Sequence, residues 1–135
     1  MAFRALSLLL ALASIQALVA CSISGVLPDW QSEDVAGPEP AYRFIIANGL
    51  SDIIGPPSLA GTLAISGVRR VSSLKGAAWV ACLKTQHLPL PPRHYAVFIQ
   101  RGRIVNSRLS VVIDQCELQT YAPFNWAADA TSPPL

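Results

Sequence analysis

The chain has 135 residues, is 52% hydrophobic and 13% charged, and carries a formal net charge of +2 at pH 7. This excludes a wholly disordered polymer, which needs low hydrophobicity and a large net charge, and the length leaves room for one compact domain and not two. The charge is unevenly placed. No Asp or Glu lies between Ala60 and Val112, a stretch that holds eight basic residues: Arg69, Arg70, Lys75, Lys84, Arg93, Arg101, Arg103 and Arg108.

At the N-terminus, Arg4 provides a short positive region and Ala5 to Ala17 an apolar run. Leu18 to Cys21 follows with small residues, which is the three-part build of an export signal. The run of about 15 apolar residues is interrupted by Ser7, Ser14 and Gln16 and falls short of the roughly 20 that span a bilayer. Cleavage after Ala20 by ordinary signal peptidase would place bulky Leu18 where a small residue is preferred. All four positions of Leu18-Val19-Ala20-Cys21 instead resemble the lipobox of bacterial lipoproteins. That resemblance implies removal of residues 1–20 and a lipid-modified Cys21 as the new N-terminus. Several acyl chains at about 0.8 kcal/mol per buried methylene hold a protein on a membrane where one chain binds only reversibly. Ser22 follows, not the aspartate that retains enterobacterial lipoproteins at the inner membrane. The expected address is therefore the outer membrane, with the domain facing the periplasm.

With Cys21 assigned to lipid, Cys82 and Cys116 remain as an even pair, which an oxidising periplasm is expected to join as a disulfide. Residues 21–39 contain Gly25, Pro28, Gly37 and Pro38 with Asp29, Glu33, Asp34 and Glu39, and read as an acidic tether. An α+β domain over 40–122 follows, then a partly docked C-terminal tail over 123–135 that includes Phe124 and Trp126. One helix is expected from Pro40 to Ile54, with Tyr42, Ile45, Ile46, Gly49, Leu50, Ile53 and Ile54 recurring on its apolar side and Gly55-Pro56-Pro57 as its stop. An antiparallel meander of about four strands should pack under it: 61–71, 77–84, 94–100 and 103–116. Prolines 89, 91 and 92 separate the second strand from the third, and Gly102 supplies the positive φ of the last hairpin. Val111-Val112-Ile113, apolar on both sides, reads as a central or doubly covered strand.

The patterns Tyr42-Arg43-x-Ile45-Ile46-Ala47, Ala78 to Lys84, Tyr95 to Ile99 and Ile113-Asp114-Gln115-Cys116 resemble small alphaproteobacterial lipoproteins of uncharacterised activity. The likeness covers most of the mature chain and implies a recurring domain with a paired-cysteine framework. A looser analogy of fold is to the C-terminal domains of Tol- and TonB-type envelope proteins, whose closing helix is not evident in this sequence.

Residues with catalytic potential resolve into plainer roles. Ser72-Ser73-Leu74-Lys75 spells S-x-x-K, as in penicillin-binding enzymes, but neither K-T-G nor S-D-N accompanies it. His87 and His94 lack the further ligands a zinc site needs and read as surface loop residues. Asp114, the acid inside a strand, reads as a salt-bridge partner of Arg108 or another of the many arginines. The expected protein is thus not an enzyme. It needs no cofactor beyond covalent lipid on Cys21, binds no metal and no nucleic acid, and serves as a structural or protein-interaction module of the cell envelope. The alternative is a binding module for lipopolysaccharide or peptidoglycan through a basic sheet face carrying Arg69, Arg70, Lys84, Arg101, Arg103 and Arg108. A periplasmic hydrolase is the remote one.

Overall fold

The computed structural model describes residues 35–73 and 75–133. The lipobox, with Cys21, and tether residues 21–34 lie outside the described residues. The last part of the expected tether is docked: Ala36 is fully buried, its carbonyl accepts the Arg101 N–H at 3.0 Å, and the Gly37 carbonyl accepts the Trp79 indole N–H at 3.0 Å.

Two short helices, α1 (Tyr42–Asn48) and α2 (Leu50–Ile54), replace the single helix expected from the periodicity. Gly49 breaks it, leaving helical geometry at φ −104°, ψ 11°. A Cβ there would sit 2.8 Å from Ile104 Cδ1, so glycine lets the helical segment settle close onto the sheet. Gly55, at φ 79°, and Pro56-Pro57 then stop it, as the sequence requires.

The sheet has six antiparallel strands: β1 (Thr62–Ser66), β2 (Arg69–Ser73), β3 (Gly76–Gln86), β4 (Arg93–Gln100), β5 (Arg103–Leu109) and β6 (Tyr121–Pro123). Their order is β5-β4-β3-β1-β6, with β2 also paired to β3. The strand expected over 61–71 is therefore two, both lying along β3. Thr62 opposes Gln86 and Ile65 opposes Leu83, but Arg69 opposes Val80, so one extra residue is inserted at Gly67-Val68. Ser66 repairs the gap: its hydroxyl accepts the Cys82 N–H at 2.9 Å and donates to the Gly67 carbonyl at 2.8 Å.

Alternation along β3 separates two faces. Ala81 and Leu83 join Ile65, Val97 and Ile99 under Ile46 and Leu50 of the helices to make the main core. Val80 and Cys82 point to the opposite face, where Cys82, Ala96 and Cys116 form a second small cluster against Phe98 and Tyr121. The β4–β5 turn has both central residues at positive φ, Arg101 at 48° and Gly102 at 72°, the twist that closes a two-residue hairpin.

One further expectation is corrected. The strand expected to run to Cys116 ends at Leu109, and Val111-Val112-Ile113 is not covered on either side: their exposures are 49%, 95% and 81%. Asp114 and Cys116 are the anchored residues of this segment, which turns the apolar run outward. The described part of the tail docks on the domain. Tyr121–Pro123 extends the sheet beside β1, Phe124 enters the core, and α3 (Trp126–Thr131) closes the domain with a helix the sequence did not disclose. Asn125 caps α3 by accepting the Ala128 N–H, and Asp129 pairs with Arg43 of α1 at 2.9 Å.

Candidate functional site

The face of the sheet opposite the helices is crossed by a strap, residues 110–120, built from two short 3-10 turns, Val112–Asp114 and Cys116–Leu118. Gln115 joins them in the left-handed conformation at φ 54°. Cys116 bonds to Cys82 at the sheet's centre, with Cα atoms 5.5 Å apart. Both cysteines are buried, which joins the pair left over once Cys21 is set aside.

Asp114 is the polar anchor. Its side chain is only 4% exposed; one oxygen meets the Arg108 guanidinium at 2.7 Å and the other accepts the Val111 N–H at 2.9 Å. Arg69 donates to the Asp114 backbone carbonyl. A buried carboxylate is tolerated only when its oxygens are satisfied in this way. The reading of Asp114 as the salt-bridge partner of Arg108 therefore matches the geometry.

Tyr121 completes the strap by donating its hydroxyl to the Cys116 carbonyl at 2.6 Å. Burial, and secondarily the charge of Glu117, push its phenol up to about 12 from an ordinary value near 10. Because the folded value is the higher one, its contribution to stability is full below about pH 10 and is lost as pH rises towards 12. We expect the difference between wild-type and Tyr121→Phe absorbance titrations to have its midpoint near 12. A midpoint at 10 would show that the phenol is not held under the strap. The loss of stability above pH 10 should be smaller in Tyr121→Phe.

The six basic residues proposed from the sequence do not gather into one patch. Register places Arg69, opposite Val80, on the strap face, and Arg70, opposite Trp79, on the helix face. Arg69 and Arg108 converge on Asp114. Arg108 also lies over the Phe98 ring at 5.2 Å, while Lys84 lies over Tyr121 at 5.0 Å. Arg101 sits in the hairpin turn and Arg103 directly after it, remote in register from Lys84. What the strap face does offer is an open groove of about 680 Å³, lined by Lys75, Ala78, Phe98, Gln100, Val105, Asn106 and Arg108. A smaller recess of about 150 Å³ shares Phe98 and Arg108 with it and runs to Ile113 and Asp114.

Ile113 lines the smaller recess, and the strap, fixed by a disulfide and a buried ion pair, also holds Val112 and Leu118 outward, the last 81% exposed. Their signal in the sequence was the very apolar run that pointed to a buried strand.

The other candidate chemistry is dispersed. Ser72 lies in β2 and Lys75 in the following turn. His94 lies in β4, as the expected strand 94–100 places it and not in the loop, its ring 5.6 Å from that of Tyr121 and tilted by 43°, whereas His87 is exposed in the β3–β4 loop. Among the described residues no cluster of three His, Cys, Asp or Glu side chains is placed to hold a metal, and no helix is long and apolar enough to cross a membrane. Comparison with known proteins finds no matching family model, no similar curated protein and no similar solved structure.

Proposed function

We propose that the chain is an exported lipoprotein of the cell envelope, anchored through Cys21, whose α+β domain is a protein-interaction module and not an enzyme. The observation that carries this reading is the pairing of Cys82 with Cys116. Of the chain's three cysteines it leaves Cys21, which stands in the lipobox Leu18-Val19-Ala20-Cys21. A structural disulfide fits an oxidising compartment, and the lipobox supplies the route there. The contact surface is the strap: Val112, Ile113 and Leu118 are its apolar centre, and the adjoining groove contributes Arg108 and Asn106. Ser22 after the lipid-bearing residue favours the outer membrane. Replacing Cys21 with Ala should move the protein from the membrane to the soluble periplasmic fraction. A Cys21→Ala variant that still floats with membranes contradicts the anchor.

A second reading, recognition of an anionic envelope glycan or lipid, draws on the groove itself, which has Lys75 and Arg108 over a Phe98 floor and no carboxylate in its lining. Asn106→Asp puts a negative charge into the groove beside Arg108. Retention on lipopolysaccharide- or peptidoglycan-coated beads should fall at least fivefold in that variant. Equal retention removes this reading and leaves the protein-contact surface.

A further inference from the structure

On the other face, where the helices end, the structure leaves a second recess that does not rest on the lipid anchor. The pairing of Thr85 with Arg93 and of Leu83 with Tyr95 puts Thr85, Arg93 and Tyr95 on the helix-bearing face, one strand end beyond the main core. The helical segment stops at Gly55-Pro56 before reaching them. The result is a recess of about 290 Å³, with Ile54, Leu59 and Leu90 as apolar walls, Tyr95 and Thr85 on the floor side, and His87 and Arg93 among its lining.

The walls are built in place. Gly61, at φ 72°, is where the chain after Leu59 passes so close to β3 that a Cβ would fall 2.1 Å from the Gln86 carbonyl oxygen. Across the recess, the His87 carbonyl accepts the Leu90 N–H at 2.8 Å, and the Gln86 side chain donates to the Leu90 carbonyl at 2.9 Å. Its shape therefore exists without a ligand, as small-molecule sites usually do.

Its charge is one-sided. No carboxylate lines the recess, and among the described residues no acidic side chain pairs with Arg93. A guanidinium with five donors in a planar fork suits carboxylate and phosphate alike, and the apolar walls beside it favour a small carboxylate with a short apolar body. At about 30 Å³ for each water-sized group, the space takes on the order of ten non-hydrogen atoms. We infer that the recess between the α2 terminus and the β3–β4 loop is a binding site for a small amphiphilic carboxylate, with Arg93 clamping the carboxylate and Ile54, Leu59 and Leu90 holding the apolar end.

The test is an NMR titration of the full, isotope-labelled chain with 4-methylpentanoate, followed at Thr85, Leu90 and Tyr95. The neutral 4-methylpentan-1-ol and inorganic phosphate serve as comparison probes. Saturable shifts confined to the recess are expected with the carboxylate, at least tenfold weaker binding of the alcohol, and no saturation with phosphate. Arg93→Met should weaken binding at least tenfold. Leu90→Asp, a change at a position already 55% exposed, should abolish it, while Arg103→Met at the far hairpin should leave it unchanged. Equal binding of alcohol and carboxylate, undiminished binding by Arg93→Met in a folded protein, or no saturation by 20 mM carboxylate would each overturn the assignment. Phosphate saturating in place of the carboxylate would overturn it too.

Discussion

Replacing both Cys82 and Cys116 with Ala should lower the stability of the domain by about 4 kcal/mol. The two residues are 34 positions apart, and closing a loop of that length restrains the unfolded chain by an amount that the chain-entropy relation puts near this figure. For a domain of about 100 residues, where 1 kcal/mol shifts Tm by roughly 4–8 °C, the melting point should fall by about 15 °C or more. Wild-type protein melted in reductant should show a similar fall, and the Cys82→Ala/Cys116→Ala variant should be insensitive to reductant. A loss below 1 kcal/mol would mean that the strap is held by its other contacts. The effect on the proposed surface is separate from that on the fold: once Cys116 is free of the sheet, Val112 and Ile113 lose their fixed presentation. Capture of partners should therefore weaken even at temperatures where the sheet survives.

Asp114→Ala should cost about 3 kcal/mol. It removes a nearly buried carboxylate that bridges Arg108 and the Val111 N–H. A hydrogen bond involving a charged group contributes roughly 1.5–3 kcal/mol, and an N–H left unpaired costs a further 1–3. Arg108 is 40% exposed and can turn to water, so the cost stays below that of orphaning a fully buried charge. Asp114→Asn, which keeps an acceptor for Val111, should lose about half as much. In a double-mutant cycle, Arg108→Ala should cost much less in the Asp114→Ala background than in wild type, because the two side chains share one interaction. Urea unfolding measures all four proteins. Additive losses would show that the pair does not act as a unit.

These two anchors also explain which parts of the molecule were legible in the sequence. The helix stop at Gly55-Pro56-Pro57 and the hairpin turn at Gly102 are decided by local backbone chemistry, which a sequence displays directly. The pairing of Cys82 with Cys116 follows from parity, and a salt bridge for Asp114 from the scarcity of acids around it, while the fold decides that its partner is Arg108. Val111-Val112-Ile113 was misread because its fate is decided elsewhere. A disulfide to β3 and a carboxylate held by Arg108 pull the next residues inward, and the apolar run is turned out. Local pattern carries no trace of that competition.

The basic set shows a different limit. Eight cations without an intervening acid look like a patch when read in order, but a period of two sends Arg69 and Arg70 to opposite faces. Of the rest, Arg108 meets an internal carboxylate and the Phe98 ring, Lys84 lies over Tyr121, Arg101 and Arg103 sit at a hairpin end, Lys75 lines the groove and Arg93 the recess on the other face. Likewise, one bulge residue at Gly67-Val68 splits a strand that the periodicity showed as continuous. The helix α3 escaped notice because six residues of Trp, Ala, Asp and Thr give too short a span for a periodic signal. Its position depends on Arg43 and on the burial of Phe124, both long-range facts.

Non-reducing intact mass of the protein extracted from membranes, taken after treatment with a thiol-alkylating reagent, reads the anchor and the disulfide together. The expected species begins at Cys21, carries the added mass of three acyl chains with their glyceryl linkage, and has no alkyl adduct. A chain that retains residues 1–20, an adduct on Cys21, or two adducts on Cys82 and Cys116 would contradict a lipid-anchored module with a disulfide-fixed contact surface.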